Sequence, residues 1–149
     1  QDGQLVVAGM RSDLASLEQT FKDAGAKRAL LLNMSVASHC ELLSPAQIPL
    51  KSLMESMISE NFEAPVISNV TTAPYATKKE AVELLTEQLV KPVKYKQSIL
   101  AIADDVDIAI EFGNGATLKG LNKRIAPNLE TYTISDMKSL LEVVEQICK

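Results

Sequence analysis

His39 is the only histidine among the 149 residues. Imidazole is the side chain best suited to take and return a proton near neutral pH. His39 sits in Ser35-Val36-Ala37-Ser38-His39-Cys40, a stretch with neither helical nor alternating pattern that follows the apolar run Arg28–Met34. A loop leaving a strand is where α/β proteins place ligand-binding and catalytic groups. By residue type alone, a lone histidine at such a place is more often packed or solvated than catalytic.

A nucleophile for that base is harder to find. Cys40 is adjacent to His39, but neighbours in an extended segment point to opposite faces, which makes a poor dyad. Cys40 and Cys148 read as bystander thiols. No Gly-x-Ser-x-Gly elbow occurs, and neither Ser35 nor Ser38 lies on a glycine-flanked turn. Gly113-Asn114-Gly115 ends a strand and opens a helix. Its amides could face an anion. A dinucleotide fingerprint would need glycine where Leu118 stands, so a tight strand-to-helix turn is the commoner reading. Two groups of cations, Lys91, Lys94, Lys96 and Lys119, Lys123, Arg124, read as solvated faces, or as sites that steer an acidic partner or grip phosphates.

The elements that must position these residues alternate. Strands are expected at Leu5–Ala8, Arg28–Met34, Pro65–Val70, Val106–Phe112 and Thr131–Ile134. Between them lie helices over 12–24, from Pro49, from Thr77, over 95–103, over 116–124 and after Ser135. Gly25 is placed to end the first helix. Ser44-Pro45-Ala46-Gln47 and Thr77-Lys78-Lys79-Glu80 read as capping boxes, and Pro92 breaks the helix that the second one opens. The class is α/β.

Composition narrows the function. With 46% hydrophobic and 23% charged residues, the chain can build a core, which must be aliphatic because aromatics are 4%. Nineteen acidic against fifteen basic residues give a net charge of -4, which argues against a nucleic-acid binder. No apolar run reaches the ~18 residues needed to cross a bilayer, and no secretory signal opens the chain. Two distant cysteines make no metal site and no disulfide framework, so a cytoplasmic protein without metal or cofactor is expected. The chain opens on Gln1 rather than Met, which reads as processing or as a fragment.

Order and spacing together carry a resemblance to the malonyl-CoA:acyl carrier protein transacylase family. Gln4-Leu5-Val6-Val7-Ala8-Gly9 is similar to the strand after that family's substrate cleft. Ser35 to Cys40 resembles its catalytic-histidine segment. Gln88-Leu89-Val90-Lys91-Pro92-Val93 resembles the loop that faces the histidine, and Glu111 to Leu121 resembles a late glycine-rich turn, with Asn114 where the family usually has proline.

The resemblance covers nearly the whole chain but about half of a family member. It implies an α/β-hydrolase-like acyltransferase core interrupted by a ferredoxin-like subdomain. Residues 1–36 would be part of the subdomain, and 37–149 the C-terminal part of the core. It also implies transfer of malonyl from coenzyme A to acyl carrier protein through a malonyl-serine ester. His39 would be the base and the Gln88 backbone carbonyl its anchor, and Ser38 would contribute to acyl selection; apart from the resemblance, the cations Lys119, Lys123 and Arg124 are candidates for docking an acidic partner such as acyl carrier protein.

The elbow serine, the arginine for the malonyl carboxylate and an early oxyanion-hole glutamine have no counterpart here. A missing N-terminal half or a second copy of the chain is therefore expected as a partner, and the chain alone is expected to be inactive. The competing expectation is a non-catalytic module that docks an acidic protein.

Overall fold

The computed structural model describes residues 5–148, which fall into two compact units divided after Lys94. Gln4, the first residue of one stretch carrying the resemblance, lies outside the described residues.

In the first unit, α1 (Arg11–Asp23) ends as its sequence indicates. The Gly25 amide donates to the Lys22 carbonyl and the Ala26 amide to the Phe21 carbonyl, the paired bonds of a Schellman motif. A 3₁₀ segment, Glu41–Ala46, then leads into α2 (Gln47–Met57). The helix starts two residues before Pro49. A proline in the first turn removes an amide that has no intrahelical partner anyway. The Ser44 capping box does not form: Ala46 is the N-cap, with no side-chain bond.

Next comes an antiparallel hairpin of β1 (Asn61–Ile67) and β2 (Pro74–Thr77). Buried Ser68 accepts from the Val70 and Thr71 amides and so shapes the turn. β2 is absent from the pattern expected of the sequence, being four residues long and running straight into a helix. That helix, α3 (Lys78–Gln88), carries the expected capping box. The Glu80 amide donates to Thr77 Oγ1, and the Thr77 amide returns a bond to Glu80 Oε2, both at 3.3 Å. Three hydrogen bonds hold the Glu80 carboxyl below its ordinary 4.5; the Thr77 hydroxyl is the strongest cause. Met54, Val70, Tyr75, Ala81 and Val82 are the buried apolar residues of this unit, with Phe62 set edge-on to Tyr75.

Two expected strands are not strands. Leu5–Ala8 and Arg28–Met34 are irregular, and Leu5, Leu30 and Leu32 are 92%, 61% and 50% exposed. A strand exists through its ladder, and no described segment offers these runs an edge. An apolar run alone therefore does not make a strand.

The second unit runs α4 (Tyr95–Leu100), β3 (Ile108–Phe112), α5 (Thr117–Ile125), β4 (Glu130–Ile134) and α6 (Met137–Ile147). β3 and β4 pair in parallel, Ile108 opposite Glu130 through Phe112 opposite Ile134. Ala126, Leu129, Ile134 and Val143 are its buried apolar residues. A polar chain crosses them: Tyr95 donates to Asn122 Oδ1 (2.8 Å), and Asn122 Nδ2 to Thr131 Oγ1 (3.2 Å), which donates to the Leu129 carbonyl (3.3 Å). The cap of α6 is Asp136, not Ser135: its carboxylate accepts from the Ser139 amide at 2.7 Å. Among the described residues, no helix is long and apolar enough to cross a membrane.

Candidate active site

The site is built on the C-terminal end of α3. The last four carbonyls of a helix lack intrahelical partners, and each must find one elsewhere. Here the partners come from three sources. Gln47, the first residue of α2, donates its side-chain amide to the Thr86 carbonyl at 3.2 Å. The Val90 and Lys91 amides turn back onto the Glu87 carbonyl. The Gln88 carbonyl takes His39, whose Nδ1 lies 2.7 Å away.

That bond sets the chemistry of the ring. A carbonyl oxygen only accepts, so Nδ1 carries the proton and donates it. In the neutral ring this leaves Nε2 as the unprotonated nitrogen. The Gln88 side-chain amide also comes within 3.5 Å of Nδ1 and within 3.5 Å of the Lys91 carbonyl. With Nδ1 already a donor, the amide's acceptor is Lys91. His39 itself is exposed and stands at φ +61°. Left-handed backbone costs a non-glycine residue on the order of 1 kcal/mol, and histidine is among the types that tolerate it. The bond to Gln88 offsets that cost and fixes which way the imidazole points.

Of the sequence neighbours of His39, none has a described side-chain bond to the imidazole. Cys40 is half-buried and turns its thiol to the Ala37 carbonyl, 3.7 Å away. Ser38 is half-buried and Ser35 exposed. Beside Gln88, a cavity of about 130 Å³ is lined by residues that include Ser68, Asn69, Tyr75 and Leu84.

Lys119, Lys123 and Arg124 are all exposed on α5, in the other unit from His39. The glycine-rich turn before them is already occupied. The Glu111 carboxylate accepts the Leu118 and Lys119 amides at 3.0 and 2.9 Å. These bonds, Leu118 first, hold its carboxyl below the ordinary 4.5. The anion at this helix start is thus the chain's own, and Gly113 and Gly115, at φ +128° and +106°, make the turn that allows it. Residue types alone did not reveal this cap, because Glu111 reads as an ordinary member of its strand. Gln47, expected in a box with Ser44, instead turns its side-chain amide to α3.

No protein-family model matches the chain. It is, however, 36% identical over 139 residues to the malonyl CoA-acyl carrier protein transacylase of Bacillus subtilis, a match spanning 93% of this chain and 44% of that protein. The crystal structure of malonyl-CoA:acyl carrier protein transacylase from Helicobacter pylori superimposes with a TM-score of 0.88 at 43% identity, covering 95% of this chain and 45% of the other. A malonyl-transacylase solved in complex with a type II PKS acyl-carrier protein gives a TM-score of 0.84 at 32% identity, over 93% and 45% of the two chains. The chain spans a little under half the length of the curated relatives it matches. Along nearly all of its own length, in sequence and in fold, the chain is homologous to the malonyl CoA-acyl carrier protein transacylases.

Proposed function

We propose that the chain is the C-terminal half of a malonyl-CoA:acyl carrier protein transacylase of fatty acid biosynthesis, acting in the cytoplasm. The observation that carries this reading is the 2.7 Å bond from His39 Nδ1 to the Gln88 carbonyl. It makes Nε2 a base with a defined direction, which a passive surface histidine has no need of. In the reaction, Nε2 takes the proton of a serine hydroxyl as the serine oxygen attacks the malonyl thioester. The imidazolium returns the proton to the departing coenzyme A thiolate, leaving a malonyl-serine ester. The phosphopantetheine thiol of the carrier protein then gives its proton to Nε2 and attacks the ester. The proton finally returns to the serine oxygen. In both steps the transient positive ring faces the carbonyl end of α3, whose partial negative charge suits it.

The serine comes from polypeptide that corresponds to the relatives' other half. Parallel strands are normally buried on both faces within larger sheets, yet β3 exposes Ile108, Ile110 and Phe112, the last at 73%. Leu5–Ala8 and Arg28–Met34 are further unpaired apolar runs. All of these await strands from a complementary segment or a second copy of the chain. In the completed enzyme, residues 1–36 form part of a ferredoxin-like subdomain and residues 37–149 the C-terminal part of an α/β-hydrolase-like core. Ser38 contributes to acyl selection. Lys119, Lys123 and Arg124, exposed on α5, dock the acidic carrier protein. One similar structure holds such a carrier protein.

The test is reconstitution. The chain is co-expressed with the N-terminal half of a relative, and malonyl transfer from coenzyme A to acyl carrier protein is measured. Activity in the mixture and in neither part alone is expected. A properly assembled pair with no transfer refutes the reading.

A further inference from the structure

We infer that Pro92 is a positioning residue for His39: it keeps the Gln88 carbonyl free for the imidazole. The inference rests on His39 being the base of the proposed reaction. In a continuing helix, the Gln88 carbonyl would accept from the amide four residues on. That residue is Pro92, which has no N–H to give. Proline also turns the residue before it away from helical backbone. The Lys91 amide makes the last bond of helical spacing, to the Glu87 carbonyl four residues back, and the ladder stops one carbonyl short of Gln88. Of the carbonyls at this end of α3, Thr86 is served by Gln47 and Glu87 by Val90 and Lys91. Gln88 is left to His39. An amide at position 92 would offer that carbonyl a local partner with no long-range closure to maintain. The Nδ1 proton would lose its acceptor, and with it the preference for the tautomer that leaves Nε2 basic.

The measurement exploits His39 being the only histidine in the sequence. Imidazole ¹⁵N shifts of the 149-residue chain report the ratio of Nδ1–H to Nε2–H tautomers without any assay of transfer. Pro92→Ala supplies the amide. The double variant Pro92→Val/Val93→Pro also supplies it, while keeping a proline stop one residue later in case the single variant does not fold. Gln47→Ala loosens the same helix end without adding a donor.

In each folded variant with an amide at 92, the ratio is expected to fall about fivefold, the change that losing one ordinary hydrogen bond produces. Gln47→Ala is expected to leave the ratio at the wild-type value. An unchanged ratio in the amide-bearing variants overturns the inference, as does an equal fall in Gln47→Ala. Neither result touches the transacylase reading, whose failure would appear as absent malonyl transfer in the reconstituted pair.

Discussion

A histidine becomes a directed base only when one of its nitrogens is spoken for. In the proposed reaction that is done by a main-chain oxygen, 2.7 Å from Nδ1, so Gln88 would matter for its position rather than its side chain. This explains what residue types alone could and could not reveal. His39 stands out in the sequence as its sole imidazole, although the run before it is irregular rather than the expected strand, while its anchor is visible only through the family resemblance, because any residue type can present a carbonyl. The left-handed backbone at His39 had no signature in the sequence. Cys40, despite its place beside the imidazole, faces Ala37. Cys40→Ser is expected to change malonyl transfer in the reconstituted enzyme by no more than about twofold, the size of an ordinary peripheral substitution. A loss beyond tenfold would mean that the thiol acts in the reaction. Asn122, 3% exposed, bonds both Tyr95 and Thr131. Asn122→Leu leaves Tyr95 and buried Thr131 without that partner and is expected to cost about 1–3 kcal/mol in urea unfolding. An unchanged midpoint would show that the chain of bonds carries no net stability.

The helices were legible because their faces and ends are written locally. The Thr77–Glu80 box, the Gly25 stop and the Pro92 break all depend on residues within one turn of each other. The strands were less legible because each depends on a partner distant in sequence. β2 was missed, and two apolar runs expected as strands have no ladder. The acid side of the stability curve follows from the helix starts. Glu80, Glu111 and Asp136 all accept backbone amides, and all three are held below their ordinary values of 4.5, 4.5 and 3.8. The folded chain therefore binds fewer protons than the unfolded one across this range. The stability these groups contribute is complete above the ordinary values and is lost as pH falls through the lower folded ones. The melting temperature is expected to drop as pH falls from about 5 toward 3. Glu111→Gln, which cannot ionise, is expected to give a shallower drop. Equal slopes for the two proteins would show that the carboxylate does not hold α5.

At the scale of the molecule, what the chain leaves uncovered matters as much as what it packs. Parallel β3–β4 with an exposed apolar face, and two further unpaired apolar runs, are surfaces that soluble chains keep covered. On its own the chain is expected to self-associate in light scattering, and to become a one-to-one complex when the complementary half is added. A monodisperse monomer that ignores the added half would contradict the proposal that a second polypeptide completes the sheet.

The central claim is that His39 Nε2 removes the proton from a serine supplied by that half. It is met most directly by single-turnover formation of the malonyl-serine ester in the reconstituted pair, timed by rapid quench with wild-type chain and with His39→Ala. A base of this kind contributes about 10²- to 10⁴-fold, so the ester is expected to form slower by that factor in the variant, with the pair still assembled. Ester formation at the wild-type rate in His39→Ala would contradict the account.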